Sequence, residues 1–419
     1  MPDLDAARDL LTFIDASPSP FHACATAAAR LDGAGFTQIT EAEAWATDLP
    51  RGYIIRDGSL VAWSTPDDAT PITPFRIVGA HTDSPNLRLK PHADVERAGA
   101  QLLAVEVYGT VLYNSWLDRD LGLSGRVAVR GVGLPLLRVD RPIARIPQLA
   151  IHLDNTVNTA GLVLNAQQHL HPVWAVDNGD FGSFVAQELG VAVEDVLAWD
   201  LMLHDVNPGT LLGRDDELIS AARIDNLCSS WAAIEALVAA TRTREIGVAV
   251  LFDHEEVGSS SNRGAASPML ESVLERIVLG LGGGREEWRR GLAASMCVSA
   301  DMAHATHPNY SERHDPGHWI ELNGGPVVKH NVSQRYATDA RSAAAFIEAC
   351  ERVDVPVQKY VHRNDLPCGS TIGPITAARL GISTVDVGAP QLSMHSAREL
   401  MGSADVALYR TALTSFLSA

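Results

Sequence analysis

Ile246-Gly247-Val248-Ala249-Val250-Leu251-Phe252-Asp253-His254-Glu255-Glu256-Val257-Gly258 is the stretch on which the reading of the fold turns. Seven consecutive apolar or glycine residues predict a buried strand, and the run stops at a string of ionisable side chains. Open α/β sheets bind ligands outside the carboxyl ends of their strands, so two adjacent carboxylates here point acids at the mouth of a sheet. A helical zinc-protease motif H-E-x-x-H starting at His254 is excluded: position 258 is Gly, and no second imidazole follows one turn on. Glu255 and Glu256 need partners from elsewhere.

Working outward, other apolar runs end in the same way. His81 and Asp83 follow Ile77-Val78-Gly79-Ala80, Asp301 follows Met296-Cys297-Val298-Ser299-Ala300, and His395 lies in the loop after Ile382 to Val387. Asp225, in Ala222-Arg223-Ile224-Asp225-Asn226, adds a fifth case just before a helix. Singly, each has an ordinary structural reading: a satisfied His-x-Asp pair, a helix N-cap at Asp225, a solvated turn at the glutamates. Five such coincidences at successive strand exits point to chemistry instead. Imidazoles and carboxylates crowded on one sheet edge repel one another unless cations intervene. Two divalent ions resolve the conflict; mixed imidazole and carboxylate ligation suits zinc, and paired metals about 3.5–4 Å apart support hydrolysis.

The rest of the chain supplies the frame. Helices are expected over 3–16 and 20–32, a hairpin over 53–63 with an Asp57-Gly58 turn, and a strand over 75–80. Between about 92 and 212 the texture becomes β-rich, with alternating strands at 102–108, 125–129 and 134–139 and one candidate helix at 180–190. Helices then recur at 226–241, 268–280, 338–353 and 396–417, with strands at 246–252, 295–300 and 382–387. The expected architecture is an α/β catalytic domain, residues 1–91 and 213–419, interrupted by an inserted β-rich domain, residues 92–212. Gly282-Gly283-Gly284 follows a helix rather than a strand, which suits no dinucleotide loop. His307, His314 and His318, with Glu312 and Asp315, fall in a loop broken by Pro308, Pro316 and Gly317, without regular ligand spacing.

Composition narrows the partners. The 419 residues are 46% hydrophobic and 20% charged, an ordinary soluble balance. A formal charge of −18 argues against nucleic acid or an anionic membrane, and no apolar run approaches the roughly 20 residues of a spanning helix. The acidic start, Met1-Pro2-Asp3-Leu4-Asp5, carries no basic n-region, so no secretory signal is expected. Five scattered cysteines, Cys24, Cys228, Cys297, Cys350 and Cys368, read as reduced thiols in a cytoplasm. A protein this acidic would attract an acidic substrate only through a desolvated local cation.

The chain resembles the aspartyl aminopeptidases, cytoplasmic dinuclear zinc exopeptidases, nearly end to end. The likeness is densest in Gly79-Ala80-His81-Thr82-Asp83-Ser84-Pro85, Arg145 to Leu153, Arg223-Ile224-Asp225-Asn226-Leu227, Glu255-Glu256-Val257-Gly258-Ser259 and Asp301-Met302-Ala303-His304. It is equally dense in Lys329 to Tyr336, Leu366 to Pro374 and Pro390 to Ser396. The resemblance implies a zinc-exopeptidase-like mixed central sheet flanked by helices, with the inserted domain making dimer contacts. It implies two divalent ions per subunit, Zn²⁺ first and Co²⁺ or Mn²⁺ as alternatives. Asp225 would bridge them, His81 and Asp301 would hold one, Glu256 and His395 the other. Glu255 would be the general base, Asp83 the acid fixing the His81 tautomer, and Lys329 the cation facing an acidic first residue, with Tyr336 and His304 lining the same pocket. His152 would complete a partner subunit's site; Gln148, where many relatives carry histidine, departs slightly from that wall. Peptides with an acidic N-terminus, Asp and also Glu, are the implied substrates, and a tetrahedral dodecamer built from dimers the implied assembly. A dinuclear aminopeptidase or deacylase of non-acidic specificity and a catalytically silent scaffold remain the alternatives.

Overall fold

The computed structural model describes residues 4–45, 50–176, 179–241 and 244–418. Two compact units emerge. One takes in the chain through Asp83, Gly209–Met394 and the stretch from Glu399 onward; the other takes in Ser84–Pro208 and His395–Arg398.

The first unit is built on nine strands: β1 (Thr37–Gln38), β2 (Arg51–Arg56), β3 (Ser59–Ser64), β4 (Phe75–His81), β5 (Ile246–Phe252), β6 (Met296–Ala300), β7 (Val327–His330), β8 (Gln358–Val361) and β9 (Ser383–Gly388). They lie in the order β1-β2-β3-β5-β4-β6-β9-β7-β8. The inner four, β5, β4, β6 and β9, are mutually parallel, whereas β3 joins β5 and β7 joins β9 antiparallel, which makes the sheet mixed. Strands buried on both faces need apolar side chains in both directions. Val78, Ala80, Leu251, Val298 and Val385 accordingly pack on helices α1 (Leu4–Ala16), α2 (Pro20–Gly33) and α3 (Ile224–Ala239). Ile77, Val248 and Val250 pack on the opposite side against α4 (Met269–Gly280) and α5 (Arg285–Ala294). The parallel register pairs Phe252 with His81 and Ala300 with Val387, so the carboxyl ends of all four inner strands share one edge.

One expectation needs correction, and several elements escaped the sequence reading. The last helix does not start at 396: Glu399–Gly402 is a strand paired with Leu218–Ala221 in a separate five-stranded sheet, and the helix begins at Ser403. Glu399, Leu400 and Met401 are good helix formers, but ladder pairing and burial outweigh propensities of a few tenths of a kcal/mol (~0.5 kcal/mol per residue). The strands β7 and β8 and the helices α5 and Ile372–Leu380 went unread, being short or weakly periodic. The sequence boundaries at 92 and 212 differ from the observed divisions after Asp83 and Pro208. Asn86–Arg97 is one strand paired along its length with Ala100–Tyr108, so no boundary can fall inside it.

The second unit is a six-stranded sheet, in the order Leu136–Ala144, Leu121–Val129, Val196–Asp205, Asn86–Arg97, Ala100–Tyr108 and Val173–Ala175. Leu87, Leu103, Leu123 and Leu201 from its strands cluster with Phe181 and Val185 of the helix Phe181–Leu189.

Trp231, at 0% exposure, is the largest fully buried side chain of the first unit, and its indole N–H donates to Asp9 Oδ2 at 2.7 Å. Asp9 also accepts two bonds from Arg30, which reaches on to Glu235. Trp231→Ala should cost about 3–5 kcal/mol, and Trp231→Phe, which loses the Asp9 bond and part of the ring but keeps most of the aromatic bulk, less; urea unfolding midpoints of the two variants check the difference.

Candidate metal centre

One donor atom each from His81, Asp225 and Glu256 fall within 4.8 Å of one another, the one such trio found among the described residues. His81 Nε2 lies 3.4 Å from Asp225 Oδ1, 3.5 Å from Asp301 Oδ1 and 3.9 Å from Glu255 Oε2. A single ring nitrogen thus faces three carboxylates, at 1% exposure for its own side chain.

The local fold explains the convergence. His81 is the last residue of β4, and Ser230 Oγ of α3 donates to its carbonyl at 2.7 Å. Asn226 Nδ2 donates to the carbonyl of Ala300 at 2.9 Å, tying the start of α3 to the strand that ends beside Asp301. The Asp225 amide donates to Glu399 Oε2 at 2.9 Å, and Thr82 N to Phe252 O at 2.8 Å. Glu255 and Glu256 occupy a 3₁₀ turn, Glu255–Val257. Successive side chains in such a turn still diverge by about 120°, so the two carboxylates retain separate directions.

Asp83 does more than the sequence suggested. His81 Nδ1 lies 2.9 Å from the backbone carbonyl of Asp83 and 3.4 Å from its carboxylate. A carbonyl only accepts, so Nδ1 carries a proton, and in the neutral ring the lone pair falls on Nε2, the nitrogen facing the acids. The Asp83 carboxylate is mainly engaged elsewhere: Oδ1 accepts from Glu255 N and Oδ2 from Glu256 N, each at 3.1 Å. One residue therefore sets the imidazole tautomer with its backbone and anchors the glutamate turn with its side chain.

The electrostatics of this cluster call for a cation. Burial by itself would lower the His81 pKa, but Asp225, Asp301 and Asp83 outweigh it and hold the imidazole well above its usual range. Burial pushes the Glu255 carboxyl well up; His81 opposes this, and Asp301, Glu256 and Asp83 add to it. Both shifts say that the site gathers protons as substitutes for positive charge. An imidazole lone pair among carboxylate oxygens is also the donor set zinc takes, so the residues fit the ion.

Lys329, on β7, is 2% exposed; its Nζ donates to the carbonyls of Asp301 and Met302 at 2.9 and 3.2 Å and lies 3.8 Å from Asp301 Oδ2. The desolvated cation sought in the sequence is therefore present beside Asp301, though two of its donors already serve backbone. Tyr336 is buried with its ring 5.1 Å from that ammonium; burial first, then the neighbouring Cys368 thiol and Tyr360 hydroxyl, push its phenol pKa far up. His304 approaches the same aromatic group, with its ring 6.1 Å from Tyr360. His395 falls in the second unit, where its Nδ1 lies 3.0 Å from the Thr110 carbonyl. His152 is exposed on a turn of that unit, next to exposed Ile151 and Leu153. The loop histidines are spent locally: His314 Nε2 accepts from His307 N, His307 Nδ1 accepts from Asn309 N, and His318 pairs with Asp315.

Sequence reading missed Glu399, Asn226 and Ser230, which hold ligands without being ligands. Glu399 was hidden on the polar side of an expected helix; Asn226 and Ser230 are fully buried polar residues in an apolar helix, which is the signal that could have found them.

The comparisons agree with this geometry. The profile of the family described as Aminopeptidase I zinc metalloprotease (M18) matches residues 13–417. A probable M18 family aminopeptidase 2 of Mycobacterium leprae is 55% identical over 422 residues, covering 99% of each chain. Among solved structures, the chain in a cryo-EM structure of the Ape4 and Nbr1 complex matches with a TM-score of 0.94 and 36% identity, over 99% of this chain and 85% of that one. A chain of the S. cerevisiae mApe1 dodecamer matches with a TM-score of 0.85 and 29% identity, over 99% and 96%. A sheet edge that draws an imidazole and several acids together, in a chain alike from end to end to these proteins, places it as a metallo-aminopeptidase of the M18 zinc metalloprotease family.

Proposed function

We propose that this aminopeptidase releases acidic residues, Asp and also Glu, from peptide N-termini. The observation that carries the reading is Lys329: a buried ammonium beside Asp301, in a chain whose charge of −18 would otherwise repel an acidic substrate. Two divalent ions would be held here: Asp225, His81 and Asp301 would hold one, and Asp225, Glu256 and His395 the other. His395 is supported by its tautomer: with the Thr110 carbonyl at Nδ1, its lone pair also resides on Nε2. Bound zinc supplies a Lewis acid that acidifies water and polarises the scissile carbonyl.

The chain's own groups do the rest. The Glu255 carboxylate accepts the proton of the attacking water and returns it to the departing amine; its burial suits a base that must release what it takes. The Asp83 carboxylate fixes the turn that aims it. Lys329 faces the substrate's first side chain, with Tyr336 and His304 closing the pocket. A neutral specificity is the second reading, favoured by the two carbonyls that already occupy the Lys329 ammonium.

Self-association belongs to the same proposal. Leu149, Ile151 and Leu153 expose 60%, 47% and 75% of their surface around His152, apolar area that another subunit would cover. We assign His152 to the partner's site near the developing oxyanion, and the second unit to dimer contacts within a dodecamer like that of the yeast relative. A cytoplasmic setting is supported by four fully enclosed free cysteines.

Three outcomes are expected. Glu255→Gln should lower kcat about 10²–10⁴-fold with KM and bound zinc little changed, read by steady-state kinetics and metal analysis. Lys329→Met should cut kcat/KM for Asp- and Glu-terminated peptides about 10–100-fold more than for Leu-terminated ones, the worth of one charge-assisted bond; an unaltered ratio in profiling over all N-terminal residues refutes acidic specificity. Light scattering should give a mass twelve times the 44.9 kDa chain, and Leu153→Asp should reduce it.

A further inference from the structure

His254, set aside as a zinc ligand because position 258 is Gly, occupies an unusual place in the fold. It precedes Glu255 directly, and its backbone is left-handed, with φ +66°. A non-glycine residue holds that conformation only where its surroundings impose it. The His254 carbonyl accepts from Ser259 N at 2.7 Å, and contacts of its amide and ring add to this. The His254 amide donates to Asp253 Oδ1 at 2.9 Å, Nδ1 lies 2.8 Å from Ser261 Oγ, and Nε2 lies 3.3 Å from Arg263 Nη2. A guanidinium only donates, so Nε2 accepts from Arg263 and Nδ1 donates to Ser261.

Arg263 is itself fixed. Its side chain is 11% exposed, with Nη1 3.1 Å from Asp57 Oδ2 and Nε 3.1 Å from Asp253 Oδ2, an ion pair in distance though not a straight hydrogen bond. Its carbonyl accepts from Ser59 Oγ at 2.8 Å. The guanidinium thus joins the β2–β3 turn, the end of β5 and the loop after the glutamates. Gly58 leaves it room: a Cβ there would collide with the Asp253 carboxylate.

We propose that His254 and Arg263 form a clamp that aims Glu255, acting as positioning residues rather than as ligands or catalysts. Asp83 holds the glutamate turn by its two amides, which fixes its height; the clamp fixes the torsion by which the chain enters it. The inference rests on the assignment of Glu255 as the base.

His254→Gly is the decisive variant, since glycine adopts the left-handed backbone without strain while losing both ring contacts. It is assayed as metal-loaded full chain on whichever N-terminal residue the wild type cleaves fastest, beside Glu255→Gln. A fall in kcat of about 10²-fold, the usual consequence of roughly 1 Å misplacement, is expected, with KM, bound zinc and melting temperature near wild type. His254→Asn, which tolerates left-handed backbone and offers Arg263 an acceptor, should recover part of the loss. Wild-type kcat in His254→Gly overturns the clamp, and so does a loss accompanied by depleted zinc or an equal fall in thermal stability, which would make His254 a ligand or a packing residue. Wild-type kcat in Glu255→Gln instead overturns the assignment of the base.

Discussion

Everything at the sheet edge follows from repulsion among carboxylates that the fold forces together. Asp225, Glu255 and Asp301 all face one imidazole nitrogen, and Glu256 completes a trio with His81 and Asp225. At an effective dielectric near 20, two unit charges at 4 Å interact by about 4 kcal/mol, so several such pairs rival the net stability of a domain. The first unit withstands this because its sheet is sealed on both faces and its tethers are redundant. Ser230, Asn226, Glu399 and Asp83 each fix a different element by a hydrogen bond from or to backbone. The acids are held in place through hydrogen bonds to backbone groups, which frees them to serve a cation.

That division of labour recurs in Asp83 and Lys329. Each was read from sequence as a single-purpose group, and each turns out to join two parts of the site. The Asp83 carbonyl sets a tautomer while its carboxylate sets a turn. The Lys329 ammonium supports the chain at Asp301 and Met302 while placing charge beside the Asp301 carboxylate. Such groups are poor candidates for tolerated substitution, because no replacement reproduces both halves.

What the sequence made legible was what strong periodicity and abrupt polarity changes encode. Runs such as Ile246–Phe252 cannot be solvated, and acids at their ends are buried only where something compensates their charge, so both the inner strands and the acid-lined edge were readable. The short strands at Val327–His330 and Gln358–Val361 carry too few residues to show a period, and Glu399–Gly402 reads as helix by composition. The tethers were invisible for another reason: Glu399 lies 174 positions from Asp225, and Arg263 lies 204 from Ser59, distances at which local pattern carries no signal. His395 was singled out as the lone histidine in the loop after a buried strand, and only the resemblance gave it a role.

The pairing of β4 with β5 has a consequence for the newborn chain. The two central neighbours of the sheet are residues 75–81 and 246–252, with Ser84–Pro208, the bulk of the second unit, spelled out between them. A ribosome releases β4 long before its partner exists, leaving an unpaired apolar strand to wait while residues 82–245 are made. Early folding of that intervening unit would shorten the effective tether and reduce the entropy of closing so long a loop. The insertion thus doubles as a spacer whose own collapse brings the two halves of the sheet within reach.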